Sequence, residues 1–147
     1  NNMTHSLMYA CAKVGMNFAS ASPKGYEPNA QVVANAKLDA AQSGSTIEIL
    51  NDPFKAAKDA DILYTDVWAS MGQEAEHDER VKIFKDYQIN NELLSVADKR
   101  AIVMHCLPAH RGEEIAEDVL EKNANVIFDE AENRLHTQKA IMALLMG

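Results

Sequence analysis

The sequence has few cysteines and no long apolar run. Its 147 residues include only Cys11 and Cys106, which form no C-x-x-C or paired metal-binding spacing; this predicts free thiols in a reducing compartment. No apolar stretch approaches the about 20 residues that a membrane-spanning helix needs, and the first residues lack the basic and apolar regions of a secretory signal. These absences predict a soluble, cytoplasmic protein with no membrane partner.

Basic residues are also in the minority, with 14 Lys and Arg against 22 Asp and Glu and a formal net charge of −8. A protein that binds nucleic acid nonspecifically needs a basic surface to neutralise phosphates. We therefore expect no nucleic-acid partner. The glycine motifs of nucleotide sites and the G-x-S-x-G elbow of serine hydrolases are absent as well.

Short apolar segments alternate with helical patterns along the whole chain. Strands are predicted at 16–22, 46–50, 62–65, 101–104 and 126–128. Helices are predicted at 4–14, 29–42, 53–58, 81–87, 91–96, 112–120 and 130–146. This order predicts an α/β fold, a Rossmann-like doubly wound parallel sheet with helices on both faces. Such a sheet ordinarily begins with a strand, so we expect its first strand to be missing from this chain.

The stretch A-I-V-M-H-C-L-P-A-H-R, residues 101–111, carries the densest chemistry. Its apolar run predicts a buried strand, and ligands of open α/β sheets bind beyond the carboxyl ends of strands. Cys106 lies there, and His105, His110 and Arg111 could lower the pKa of its thiol. An inert buried cysteine is the alternative. A zinc site of His105, Cys106 and His110 is disfavoured, because adjacent ligands rarely converge and no second pair completes a tetrahedron.

A second candidate region follows the predicted strand at 62–65. Asp66 stands at the end of that strand, where it either faces a ligand crevice or caps the next turn. Ser70 and Met71 lie just beyond it, in a segment with the small residues and glycine of a loop. Loops often carry function, although a loop serine is more commonly only solvated.

Two further candidates stand at helix positions. Asn2 precedes the first helix, where it either caps the helix or helps its amino end to bind an anion. Arg134 begins the exposed side of the last helix, where it is either solvated or paired with Glu130.

Four motifs, taken in order, resemble the second half of the ornithine carbamoyltransferase family: N-N-M-T-H-S-L, D-V-W-A-S-M-G-Q-E, H-C-L-P-A-H-R-G-E-E and F-D-E-A-E-N-R-L-H-T-Q-K. The S-M-G loop is similar to the ornithine-type signature rather than to that of aspartate or putrescine carbamoyltransferases. The resemblance implies transfer of the carbamoyl group of carbamoyl phosphate to the side-chain amine of L-ornithine. The products would be citrulline and phosphate, and the reaction would need no metal or organic cofactor.

The resemblance also implies roles for individual residues. The amino-acid end of ornithine would be held by Asn2, Asp66, Ser70 and Met71. The catalytic residues near the reacting amine would be Asp66 and Cys106. Carbamoyl phosphate would be faced by Cys106, Leu107 and Arg134.

The phosphate-binding signature of the family, S-T-R-T-R, is absent from this chain and belongs to an amino-terminal domain. We therefore expect residues 1–130 to form the ornithine-binding α/β domain and residues 131–147 a terminal helix that crosses to that missing amino-terminal domain. The chain alone is expected to be inactive, and the full enzyme a homotrimer. A stand-alone amino-acid-binding module and a purely structural Rossmann-like domain are the competing classes.

Overall fold

A computed structural model describes residues 2–69 and 76–147 of the chain. The chain divides into two compact units, the first ending at Lys58 and the second running from Asp59 to Gly147. Both units combine helices with a pair of short parallel strands, so the predicted α/β class with parallel strands is confirmed. Within the described ranges, no helix combines the length and the apolar character needed to cross a membrane.

Within residues 2–58, the first unit contains three helices and one parallel strand pair. In chain order its elements are α1 (Asn2–Val14), β1 (Phe18–Ala21), α2 (Ala30–Ser43), β2 (Ile47–Leu50) and α3 (Pro53–Ala57). β1 and β2 pair in register along their whole length. The buried core consists of Met8, Ala12, Ala36, Ala40 and Ile47. The core positions of each helix are four residues apart, so each helix buries one face.

The ends of α2 and α3 follow from the local sequence. The Asn29 side chain accepts two backbone N–H groups at the start of α2, and Gly44 ends that helix with a φ of 83°. A left-handed φ of this size suits glycine, which has no side chain to clash. Asp52 caps α3 in the same way as Asn29, with Pro53 in the first turn.

Within residues 59–69 and 76–147, the second unit contains four helices, a short 3-10 turn and the other strand pair. Its elements are β3 (Ile62–Thr65), α4 (His77–Phe84), the 3-10 turn Lys85–Tyr87, α5 (Asn91–Leu94), β4 (Ile102–His105), α6 (Glu117–Lys122) and α7 (Ala124–Met146). β3 and β4 pair in parallel, from Ile62 opposite Ile102 to Thr65 opposite His105. Buried apolar side chains here include Leu63, Val103, Ile115, Val119 and Ile127.

The predicted strand at 126–128 is wrong, because these residues lie within α7. The backbone N–H of Ile127 donates to the carbonyl oxygen of Asn123, four residues earlier, at 3.1 Å. This is the hydrogen-bond pattern of an α-helix. Ile127 is fully buried, whereas Phe128 is 56% exposed. A short apolar run is compatible with either a strand or one buried helical turn, so periodicity alone could not decide between them.

The helix predicted at 112–120 is also wrong over its first half, because α6 begins only at Glu117. Gly112 has a φ of 84°, and its N–H donates to the Ile115 carbonyl oxygen at 2.9 Å. Ile115 also forms bridges with Ile89 and Arg111. The left-handed glycine therefore reverses the chain into a turn before the helix starts.

The last helix, α7, is 23 residues long and continues across position 130. Its carboxyl-terminal half leaves several large apolar side chains at least half exposed: Leu135, Ile141, Met142, Leu144, Leu145 and Met146. The crossing of residues 131–147 to another domain stays a prediction.

Candidate active site

The ends of β3 and β4 bring two of the predicted site residues together. Because Thr65 lies opposite His105 in the parallel pair, Asp66 and Cys106 leave the two strands side by side. The Cys106 thiol donates to Asp66 Oδ1 across 3.0 Å, and the same oxygen accepts the backbone N–H of Val67 at 2.8 Å. The carboxyl ends of parallel strands are where α/β folds place ligand sites.

The thiol of Cys106 is neutral at physiological pH. Burial, and then the hydrogen bond to the Asp66 carboxylate, raise the pKa of Cys106 to about 12. An adjacent anion disfavours a second negative charge, so the proton stays on sulfur. The predicted lowering of this pKa is therefore wrong. In this arrangement Cys106 donates a hydrogen bond and Asp66 is the anionic partner.

The cationic neighbours expected to lower that pKa are engaged elsewhere. The His105 ring is fully buried, and its Nε2 lies 3.0 Å from Glu114 Oε1. The Arg111 guanidinium donates to Glu121 Oε1 at 2.8 Å. His105 and Arg111 are close to Cys106 in sequence, but their polar atoms pair with Glu114 and Glu121.

The segment after β4 is held by the buried His105 side chain. Leu107 has a φ of 54°, in the left-handed region that few residues other than glycine adopt, and a cis peptide bond joins it to Pro108. The backbone N–H of Leu107 donates to His105 Nδ1 at 2.9 Å. With its other ring nitrogen on Glu114, His105 connects the backbone beside Cys106 to the interior of the unit.

Tyr64 lies next to the Cys106–Asp66 pair and forms a hydrogen bond to Glu130. The sequence analysis assigned neither Tyr64 nor Glu130 to the site. The Tyr64 hydroxyl donates to Glu130 Oε1 at 2.7 Å. Burial, and then this hydrogen bond, raise the pKa of Tyr64 above its ordinary value, with a further contribution from Cys106. The one available signal was their position, since Tyr64 precedes the end of β3 and Glu130 belongs to the F-D-E-A-E-N-R motif.

Arg134 lies in a groove of about 560 Å³ between β4 and α7. The groove is lined by Met104, Val126, Asp129, Glu130, Asn133, Arg134, Thr137 and Gln138. Arg134 is exposed, and within residues 2–69 and 76–147 its guanidinium forms no ion pair. Cys106 and Leu107 are not among the lining residues, whereas Glu130, which accepts the hydrogen bond from Tyr64, is one of them.

The other residues predicted to bind ornithine are Asn2, Ser70 and Met71. Asn2 is an exposed residue of the first unit and begins α1. Ser70 and Met71 lie outside the described residues. Their assignments to ornithine stay predictions.

The parallel strands and flanking helices define an α/β protein, with the thiol–carboxylate pair at the ends of β3 and β4. The family model described as "Aspartate/ornithine carbamoyltransferase, Asp/Orn binding domain" matches residues 1–145, and the chain belongs to this family. An ornithine carbamoyltransferase of Thermococcus kodakarensis is 58% identical over all 147 residues, which correspond to 47% of that relative. The chain thus spans about half the length of the relatives it matches.

Solved structures give the same result for the fold. The anabolic ornithine carbamoyltransferase of Campylobacter jejuni superposes with a TM-score of 0.95 at 42% identity, covering 99% of this chain and 48% of that one. The ornithine carbamoyltransferase of Pyrococcus furiosus superposes with a TM-score of 0.91 at 55% identity, covering 97% of this chain and 46% of that one. The predicted Rossmann-like α/β class is confirmed.

Proposed function

We propose that the chain is the ornithine-binding part of an ornithine carbamoyltransferase, which transfers the carbamoyl group of carbamoyl phosphate to the δ-amine of L-ornithine. The observation that carries this proposal is the 3.0 Å contact between the Cys106 thiol and the Asp66 carboxylate at adjacent strand ends. The family match and the relatives' names support the choice of reaction.

The first requirement of this reaction is a deprotonated amine. The δ-amine of ornithine carries a proton at neutral pH, and an ammonium group has no lone pair with which to attack a carbonyl carbon. The Asp66 carboxylate attracts the ammonium, orients it and accepts a proton from it as general base. Because Cys106 keeps its own proton, it acts as a hydrogen-bond donor beside Asp66 and not as the base.

The second requirement is stabilisation of the charge that develops on carbamoyl phosphate. The amine nitrogen forms a bond to the carbonyl carbon, the bond from that carbon to the phosphate oxygen breaks, and the phosphate leaves with the electron pair. In the proposal, Cys106, Leu107 and Arg134 face carbamoyl phosphate. Arg134 is suited to this role, because its exposed guanidinium offers a planar fork of donors to oxygen anions.

Asn2, Ser70 and Met71 complete the proposal as ligands of the amino-acid end of ornithine. The support for these three residues is the match of their motifs to the family. Binding at that end, remote from the reacting amine, would hold the δ-nitrogen in position for attack.

The proposal further assigns the phosphate-binding part of the site to an amino-terminal domain beyond this chain. The chain matches only 46% to 48% of its relatives, and it lacks the S-T-R-T-R signature. We therefore propose that residues 1–147 alone do not turn over, that residues 131–147 contact the amino-terminal domain, and that the complete enzyme is a homotrimer.

A chimaeric enzyme tests the reaction directly. Residues 1–147 would replace the matching part of the Thermococcus kodakarensis ornithine carbamoyltransferase, and citrulline formation would be measured beside the isolated chain. We expect turnover by the chimaera and none by the chain. Asp66→Asn should lower kcat of the chimaera by about 100-fold or more, the scale of general-base catalysis. Cys106→Ser should have a smaller effect, since serine also donates a hydrogen bond.

The same experiment separates the competing classes. A folded chimaera that forms no citrulline, while the isolated chain binds ornithine, would favour a stand-alone amino-acid-binding module. Full turnover by Asp66→Asn would overturn the mechanism. Lys82→Ala is a matched surface control, because Lys82 lies in α4 and forms none of the contacts assigned to the site.

A further inference from the structure

Two imidazoles and a carboxylate converge at a place that carbamoyl transfer does not use. His77 Nε2 lies 3.0 Å from Glu113 Oε2, and His110 Nδ1 lies 3.3 Å from the same oxygen. One ligand atom from each residue falls within 4.8 Å of the other two. We call His77, His110 and Glu113 the His–His–Glu group.

The spacing of the His–His–Glu group matches the donors around a tetrahedral zinc ion. Zinc bonds of about 2.0 to 2.2 Å to nitrogen and oxygen place neighbouring ligand atoms roughly 3.3 Å apart on the edges of a tetrahedron. The two nitrogen–oxygen distances of 3.0 and 3.3 Å are close to that edge length. Two histidines and a glutamate are also a donor set that zinc uses when a further position is left to water.

Two of the three ligands are held on a turn that is already rigid. The amide of Gln88 donates to the carbonyl oxygens of Gly112 and Glu113 at 2.9 and 2.8 Å. The backbone N–H of His110 donates to the buried Glu114 side chain at 2.6 Å. Because these contacts order the turn before any ion binds, little conformational entropy remains to be lost on binding.

The third ligand has the orientation that metal-bound histidines commonly show. His77 Nδ1 lies 3.3 Å from Asp78 Oδ1, and its Nε2 faces Glu113. A carboxylate on the far ring nitrogen sets the tautomer and presents the other nitrogen's lone pair to the ion. The side chains of His77, His110 and Glu113 are 32%, 45% and 27% exposed, so an ion and its water can reach them.

We propose that His77, His110 and Glu113 form a binding site for a divalent transition-metal ion, with Zn²⁺ as the ion that the donors and their spacing suit best. Imidazole nitrogen and carboxylate oxygen together favour zinc over Ca²⁺ and Mg²⁺, which prefer all-oxygen sites. The bound ion ties the first residue of α4 to the turn at 110–113. The site uses none of the residues assigned to carbamoyl transfer, so the two proposals can be tested independently of each other.

Calorimetric titration of the full chain with Zn²⁺, after treatment with chelator and dialysis, tests the site. We expect one ion per chain. His77→Ala, His110→Ala and Glu113→Gln should each weaken binding by more than about tenfold, the smallest effect that loss of even an outer ligand partner has. His136→Ala is the matched control and should bind as the parent chain does, because His136 also contacts a glutamate but has no second imidazole beside it.

Titration with Co²⁺ distinguishes this site from binding at the thiol. A site of nitrogen and oxygen donors gives weak ligand-field absorption, whereas coordination by Cys106 would add an intense thiolate-to-metal charge-transfer band. We expect no such band and no change in Cys106→Ser. The proposal is overturned if the parent chain binds no Zn²⁺, if the three variants bind as tightly as His136→Ala, or if Cys106→Ser abolishes binding.

Discussion

Two consecutive carboxylates, Glu113 and Glu114, meet imidazoles in opposite surroundings. Glu114 and His105 are both fully buried, with their side chains 3.0 Å apart. Glu113 contacts His77 and His110 at similar distances, and all three are partly exposed. A hydrogen bond to a charged group is stronger in the low-dielectric interior, and leaving that group unpaired there costs more. A glutamate–histidine contact is therefore part of the buried interior at Glu114 and is accessible to solvent at Glu113.

The buried pair also organises the segment that carries the candidate active site. Glu114 Oε1 accepts from the His105 ring and from the His110 backbone, and the other nitrogen of His105 accepts the Leu107 N–H. These contacts hold the chain on both sides of Pro108. Burial, rather than residue type, thus decides which carboxylate is structural and which is available to a ligand.

The largest effect should come from breaking the buried pair with His105→Ala. This change leaves the Glu114 carboxylate buried without its imidazole, and Glu114 Oε2 already has no hydrogen-bond partner among the described residues. Removing one member of a buried pair costs about 3 to 5 kcal/mol. Urea denaturation followed by circular dichroism measures the change in the free energy of unfolding.

His110→Ala is the control for His105→Ala, because it removes an imidazole from the exposed group. Exposed pairs contribute about 0 to 1 kcal/mol, so this variant should unfold at nearly the same urea concentration as the parent chain. Equal losses in the two variants would contradict the contrast between the buried and exposed pairs.

The pH dependence of stability should have opposite signs for the buried Glu114 carboxylate and the partly exposed His77 imidazole. Burial by itself raises the pKa of Glu114, but hydrogen bonds from His105 and the His110 backbone outweigh it and hold the pKa below its ordinary value of 4.5. The stabilisation is therefore complete above pH 4.5 and is lost as the pH falls through the lowered folded-state pKa. Glu114→Gln should remove this acid-dependent part of the stability.

The contribution of His77 to stability should instead be lost at higher pH. Hydrogen bonds to Asp78 and then Glu113 raise the pKa of His77 above its ordinary value of 6.5. The contribution of His77 to the free energy of unfolding is therefore fully present below pH 6.5, and it is lost as the pH rises through the raised pKa of the folded state. Urea denaturation in chelator-containing buffer, from acid to mildly alkaline pH, measures both the loss of stability at low pH and the loss at higher pH. If Glu114→Gln lost stability at low pH as the parent chain does, the assignment of that loss to Glu114 would be wrong.

Local sequence predicted the alternation of helices and strands and the positions of Asp66 and Cys106 beyond strand ends. A helix cap such as Asp52 depends on groups within three residues, so it can be recognised without the structure. Asp66 and Cys106 were each expected just beyond the end of a strand, and parallel strands end at the same edge of a sheet. The contact between the two side chains was not itself predicted from the pattern.

Contacts between distant parts of the chain could not be predicted in the same way. Tyr64 and Glu130 are 66 residues apart, and His77 and Glu113 are 36 residues apart. The pKa of Cys106 was predicted with the wrong sign because its neighbours in sequence were assumed to be its neighbours in space. Burial and a carboxylate from another strand determine that pKa instead.

The smallest effect on stability should come from Glu113→Ala. In chelator-containing buffer, this substitution of a partly exposed side chain should change the free energy of unfolding by less than about 1 kcal/mol. With Zn²⁺ at about 100 times its dissociation constant, the parent chain should gain about 2.7 kcal/mol, since an ion that binds only the folded state stabilises it by mass action. Glu113→Ala, which should bind Zn²⁺ more than about tenfold more weakly, should gain less than about 1.4 kcal/mol under the same conditions. A zinc-dependent gain of the same size in both proteins would show that Glu113 is only a surface acid, and the contrast with Glu114 would then rest on burial alone.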